Sequence, residues 1–181
     1  MKHRGNNIIG PYIHKPAELQ SYNPIYRDVA QYVADLIRTK LECVKVEHIG
    51  STAIEGCDGK GIIDLMLLYP EGFLEKIKNA LSSLGFQPQP HRDPFPENRP
   101  MRVGSVVYKG LVFQIHAHVV EKDDAEVFST LKFRDMLRND ERLRNRYIQC
   151  KRQILQAGTT DSLAYWRAKS SFIKHALQDE L

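Results

Sequence analysis

Apolar residues recur along this chain with two different periods, and each change of period marks a new element. Between Asn23 and Lys40, the residues Ile25, Val29, Val33, Leu36 and Ile37 fall on one helical stripe. Asn23-Pro24 supplies a capping side chain and a proline suited to the first helical position, so a helix is predicted from there towards Lys40. "CVKVEHI" and "GIIDLMLLYP" read as strands, the second ended by Pro70. Alternation along the second separates Ile62, Asp64, Met66 and Leu68 from Ile63, Leu65, Leu67 and Tyr69. "EGFLEKIKNALSSLG" is a short amphipathic helix stopped by Gly85, and the proline-rich "FQPQPHRDPFPENRP" is loop. A hairpin follows, "MRVGSVVY" and "LVFQIHAHVVE" around Lys109-Gly110. On its second strand Phe113, Ile115, Ala117 and Val119 form a core face, with Gln114, His116 and His118 opposite.

After Glu121 there is no further proline, and helical periodicity runs almost to the end. One helix is expected from about Asp123 to Asn139 and a second from Asp140 to Ala157. Gly158 is a stop and Asp161 a new N-cap, opening a last helix that runs nearly to Leu181. The layout is α+β: a mixed β-sheet packed with helices, then a C-terminal helical bundle, all in a single domain over residues 1–181. Residues 1–22 are an atypical segment without clear pattern.

Composition narrows the setting more than the function. The net charge of +4 is mildly basic; it accommodates an anionic ligand or RNA without arguing for either. Three scattered cysteines suit a reducing compartment, no stretch is apolar enough for a membrane span, and the N-terminus lacks a signal-peptide core. A cytoplasmic location without membrane attachment is expected.

The candidate chemistry gathers around Asp64. An ionised carboxylate inside an apolar strand is costly unless a cation, a metal or several hydrogen bonds meet it, or unless it lies at a sheet edge and reaches water or an arginine. Gly50-Ser51-Thr52 follows the first strand, where backbone N–H groups and two hydroxyls could hold a phosphate; Thr52 to Glu55 also reads as a structural capping box. His116 and His118, at i and i+2 on one strand, could share a metal with Asp64 and His48, or simply hydrogen-bond on a half-exposed face. On the last helix Lys169 falls inside the apolar stripe of Trp166, Ala168, Phe172, Ile173 and Ala176. It either faces a cleft holding an anion or pairs with Asp135 across two helices.

The block "VEHIGSTAIEGCDGKGIIDLML" resembles the GrpB family, and the likeness continues through "IHAHVVE", "FRDMLRND", "YIQCKRQI" and "AYWRAKSSFIKHAL". That family is similar to the nucleotidyltransferase superfamily with the DNA polymerase β-like fold. There, a Gly-Ser turn holds nucleotide phosphates, while an acid pair on the next strand and a third acid from a later strand hold two metal ions. Carried over, the resemblance implies phosphate binding at Gly50 and Ser51 and a catalytic or metal-ligating role for Asp64. Arg134 and Lys151 match recurrent family positions and would add positive charge beside the ligand. The second acid position holds Met66, and the third falls on the strand of His116 and His118. A thioether gives Mg²⁺ no hard oxygen ligand, and imidazole suits zinc or manganese better.

Three functional readings follow. The first is a nucleotidyltransferase-like enzyme acting on a nucleotide or other phosphorylated ligand, with a divalent ion (Zn, Mn or Mg) on Asp64, His116, His118 and His48. The second keeps the cleft as a ligand-binding module without catalysis, since the carboxylate set is incomplete. The third, an RNA- or protein-interaction module, is disfavoured by the low net charge and the lack of an aromatic-interleaved basic stretch.

Overall fold

The computed structural model describes residues 8–14, 18–90, 94–159 and 162–178, apart from the side chains of residues 162, 163 and 166. The expected Asp161 cap therefore lies outside the described residues, as does the Trp166 side chain. Helix α1 (Ile25–Arg38) begins as its sequence demands, with Asn23 Oδ1 accepting from the Ile25 amide at 3.0 Å. Strands β1 (Lys45–Ile49) and β2 (Ile63–Tyr69) are separated by a one-turn 3-10 segment (Ser51–Ala53) and a loop. Helix α2 (Leu74–Leu84) ends at Gly85, whose φ of 107° is open to glycine at little cost. The described part of the proline-rich stretch is loop apart from a two-residue strand, β3 (Gln87–Pro88). Strands β4 (Met101–Tyr108) and β5 (Leu111–Glu121) form the hairpin. Lys109 and Gly110 both have positive φ (49° and 79°), as a tight turn matched to strand twist requires. Helices α3 (Ala125–Asn139), α4 (Glu141–Gln156) and α5 (Ser162–Leu177) complete the chain, with the side chains of Asp124 and Asp140 capping α3 and α4.

The five strands form one mixed sheet in the order β1-β2-β5-β4-β3, with β2 and β5 parallel at its centre and every other pair antiparallel. Helices cover it unequally. Against one face α1 packs Val29, Val33 and Ile37, and α2 packs Ile77 and Leu81; they meet Ile63, Leu65 and Leu67 of β2 and Ile115, Ala117 and Val119 of β5. Each such fully buried aliphatic side chain contributes about 1.5–3 kcal/mol. The other face is covered by α3 only towards one end, where Val127 and Leu131 meet Ile49, Met66, Leu68 and Val120. A third cluster ties the loop before β2 to the bundle, with Ile54 and Cys57 packed among Phe133, Leu137, Tyr147 and Ile148. The rest of that face carries Asp64, His116 and His118, each partly exposed.

Candidate functional site

That partly exposed group is built by strand register. Asp64 on β2 lies directly beside His116 on β5, and Met66 beside His118, so Asp64 and both histidines share one face. His116 Nδ1 is 3.2 Å and His118 Nε2 3.6 Å from Asp64 Oδ1. One donor atom from each of the three residues lies within 4.8 Å of the others, which is the spacing of a first coordination sphere. Burial works against the Asp64 carboxylate, but hydrogen bonds from His116 and His118 outweigh it and hold its pKa below the ordinary range.

Four further residues lie around the cluster, Tyr12, Lys60, Tyr165 and Lys169, of which the sequence had singled out Lys169 alone. Tyr12 OH lies 3.1 Å from His116 Nε2, and its ring packs on the imidazole. The otherwise patternless N-terminal segment brings it there: Gly10 bridges to Ser105 of β4, and the Ile13 amide donates to Gln114 Oε1 at 2.8 Å. Lys60, in the loop before β2, and Lys169, on α5, both place their ammonium groups over the Tyr165 ring, at 4.2 Å and 5.3 Å. Burial lowers the pKa of both lysines while the charge of Asp64 opposes it; Lys169 is brought down to about 8. Burial raises the Tyr165 phenol to about 12, so it stays neutral beside the two cations. Lys60 was within reach of sequence reading, since it lies inside the same motif as Asp64. Tyr12 was not.

Other expected site residues are placed differently. His48 shares its face of β1 with Val46, opposite Leu65, and its Nε2 meets Thr52 Oγ1 at 3.0 Å; it is not part of the Asp64 cluster. Thr52 is buried and donates its hydroxyl to the Ile62 carbonyl at 3.0 Å, which ties the turn to β2 and removes that hydroxyl from a ligand. The capping box does not form, because the 3-10 turn gives way to extended backbone at Ile54 and Glu55 reaches Arg27 instead. Arg134 is spent on structure. It donates to Glu47 Oε2 (2.8 Å), the His48 carbonyl (3.1 Å) and Asp135 (2.8 Å), bracing α3 against β1. Asp135 pairs with Arg134 and Arg138, not with Lys169. Lys151 is buried, donates to the Asp58 carbonyl and to Cys57 Sγ, and lies over the Tyr147 ring, so it pins the loop before β2.

The turn itself stays against the cluster. Gly50 has φ 71°, and a Cβ on it would stand 2.5 Å from Asp64 Oδ2. Ser51 is held under Gly59, where any side chain on the glycine would collide with it. Met66 lies directly beside His118 on the neighbouring strand but is buried beneath α3 with Val127 and Leu131.

Residues 16–179 match the family described as GrpB protein. The chain belongs to the GrpB family. A UPF0157 protein of Halalkalibacterium halodurans is 29% identical over 163 residues, spanning 88% of this chain and 80% of its own length. A second, from Pseudomonas aeruginosa, is 32% identical over 152 residues, 80% of this chain but 59% of that protein. The crystal structure of GrpB from Enterococcus faecalis superposes with a TM-score of 0.67 at 23% identity, covering 90% of this chain and 98% of that one. Cid1, whose structure is described for its RNA terminal uridylyl transferase activity, gives 0.54 at 14% identity over 75% of this chain and 41% of Cid1. The GLD-2/RNP-8 complex gives 0.54 at 13% identity over 87% and 59%. At these identities the likeness shows the fold, which is nucleotidyltransferase-like. No described helix is long and apolar enough to cross a membrane.

Proposed function

We propose that the face carrying Asp64 forms a cleft that binds a nucleotide or another phosphorylated ligand with the help of one divalent ion held by Asp64, His116 and His118. The observation that carries this reading is the convergence of three donor atoms within 4.8 Å, faced by two partly desolvated lysines. One carboxylate and two imidazoles suit zinc or manganese better than magnesium, which favours six oxygen ligands. A divalent ion there would polarise a phosphoryl oxygen as a Lewis acid.

The protein's own residues have distinct tasks. With an ion bound, Tyr12 would accept the Nε2 proton of His116 and leave Nδ1, the nitrogen facing Asp64, free to coordinate. Lys60 and Lys169 neutralise ligand charge, and the Tyr165 ring between them holds both ammonium groups towards the cleft. Gly50, which has no Cβ, lets the turn approach the carboxylate.

Two-metal nucleotidyl transfer is not part of this proposal. The second acid position is Met66, a thioether sealed in the core, and the strand where a third acid would lie holds His116 and His118. The cleft is read as a one-ion ligand site, and its chemistry would be limited to what one ion and the flanking lysines can do. A thermal-shift panel of nucleotides and phosphorylated metabolites, each with and without Zn²⁺, Mn²⁺ or Mg²⁺, tests it. A ligand at 100 times its Kd adds about 2.7 kcal/mol of stability. The expected result is a metal-dependent shift that Asp64→Asn removes; shifts that ignore both metal and Asp64 would refute the site.

A further inference from the structure

We propose that a second cleft, on the opposite side of β1 from Asp64, binds a small polyanion carrying two or more phosphate groups. The cleft encloses about 700 Å³ between α1, β1, the 3-10 turn and the ends of α3 and α4. Four arginines line it: Arg27 and Arg38 from α1, Arg138 from α3 and Arg144 from α4. Glu55 is the one acid among the described lining residues; it is 81% exposed and reaches Arg27 at 3.4 Å.

Two of the four guanidinium groups, those of Arg138 and Arg144, are oriented by backbone carbonyls, which position a charge without cancelling it, while Arg27, Arg38 and Arg138 each also meet one exposed carboxylate. Arg138 donates twice to the Ala53 carbonyl, at 3.0 and 2.9 Å, and Arg144 Nη1 donates to the Leu137 carbonyl at 3.1 Å. Arg144 has no carboxylate partner among the described residues, Arg138 shares Asp135 with Arg134, and Arg38 pairs with Asp35. The field reaches the floor of the cleft. Burial first, and then Arg138, Arg134 and Arg27 against the pull of Asp64, bring His48 down to about 4, so it presents a neutral imidazole at pH 7.

Guanidinium groups bind phosphate oxygens in pairs, and several converging on one hollow suit a ligand with several phosphates. The space matches that of sites for nucleotide-sized molecules, about 300–1,000 Å³. The arginines come from three helices around a concavity and do not form a stripe along one surface, which favours a compact ligand over an RNA path. This cleft is separate from the Asp64 site. His48, Val46 and Leu65 line it on the α1 side of the sheet, and the buried Thr52 hydroxyl, bonded to Ile62, closes the turn between the two.

The test is calorimetric titration of the full chain with inorganic tripolyphosphate in EDTA at low salt, so that metal-dependent capture at Asp64 is suppressed. Wild type should bind one tripolyphosphate per chain, at least tenfold more tightly than inorganic phosphate. Combining Arg27→Gln with Arg144→Gln should weaken binding at least tenfold, and Asp64→Asn should leave it unchanged. Gln31→Glu, an exposed substitution on the same wall, should give a like loss and serves if the double variant folds poorly. Absence of binding in EDTA, or equal binding by these cleft variants, would overturn the proposal, as would loss of binding in Asp64→Asn. An affinity for single-stranded RNA that rises with length and exceeds that for tripolyphosphate would also overturn it.

Discussion

Gly50 and Asp64 touch across the first turn of the sheet: a Cβ on Gly50 would lie 2.5 Å from Asp64 Oδ2, and the backbone there has φ 71°. Both conditions forbid a side chain, so the residue that opens the turn and the acid that anchors the cluster are fitted to one another. Gly50→Ala should cost about 1–3 kcal/mol in a urea unfolding experiment, from strain and displacement of the carboxylate together. It should also weaken metal binding. A variant as stable as wild type would show that the turn relaxes freely and that the contact is incidental.

Asp64→Asn removes the charge while keeping the shape. The folded pKa of Asp64 is depressed, so its stabilising contribution is fully present above about 3.8, its unfolded value, and is lost as pH falls through the folded value. The variant should fold at pH 7 but be less stable than wild type by about 1–3 kcal/mol, with the gap narrowing below pH 4. A gap that stays constant into acid would mean the carboxylate is not held ionised by the histidines.

Lys169 gives the opposite sign. Its folded pKa of about 8 lies below the unfolded 10.5, so the buried charge is a burden below pH 8 that is relieved as pH rises to about 10.5. Lys169→Met should therefore be more stable than wild type at pH 7, on the order of 3 kcal/mol at most. That advantage should fade between pH 8 and 10.5 in paired denaturation curves. Affinity for a phosphorylated ligand should fall over the same range in wild type, as the ammonium loses its proton.

Arg134 separates a structural from a ligand role. Its donors go to Glu47, the His48 carbonyl and Asp135, and both its side chain and that of Glu47 are largely buried. Arg134→Gln should lose about 1–3 kcal/mol, because the largely buried Glu47 keeps only Lys45, at 2.7 Å, and α3 loses its brace to β1. Ligand affinity, measured where the variant is folded, should change less than threefold. A large loss of affinity with little loss of stability would return Arg134 to the ligand.

What could be read from the chain was what short-range rules control. The Asn23-Pro24 cap, the Gly85 stop, the Lys109-Gly110 turn and the face shared by Gln114, His116 and His118 all depend on residues a few positions apart. The same alternation applied to β1 puts His48 with Val46 on the α1 side, a signal available in "CVKVEHI" that excludes it from the cluster. Long-range partners were not available in that way. Tyr12 reaches His116 from 104 residues away through a segment with no periodicity, and Arg134 finds Glu47 across 87. Lysines presented a harder problem. Lys151 and Lys169 occupy similar-looking helical positions, yet one is tied to a loop carbonyl and the other lies over the Tyr165 ring. Only the packing of α4 against the loop before β2 distinguishes them.

The central claim is that Asp64, His116 and His118 act together as one metal site, and metal titration of the full chain tests it most directly. Calorimetry should find one Zn²⁺ or Mn²⁺ per chain, bound at least tenfold more tightly than Mg²⁺, with that binding lost in Asp64→Asn and in His118→Gln. Binding that survives both substitutions, or a preference for Mg²⁺, would contradict the account.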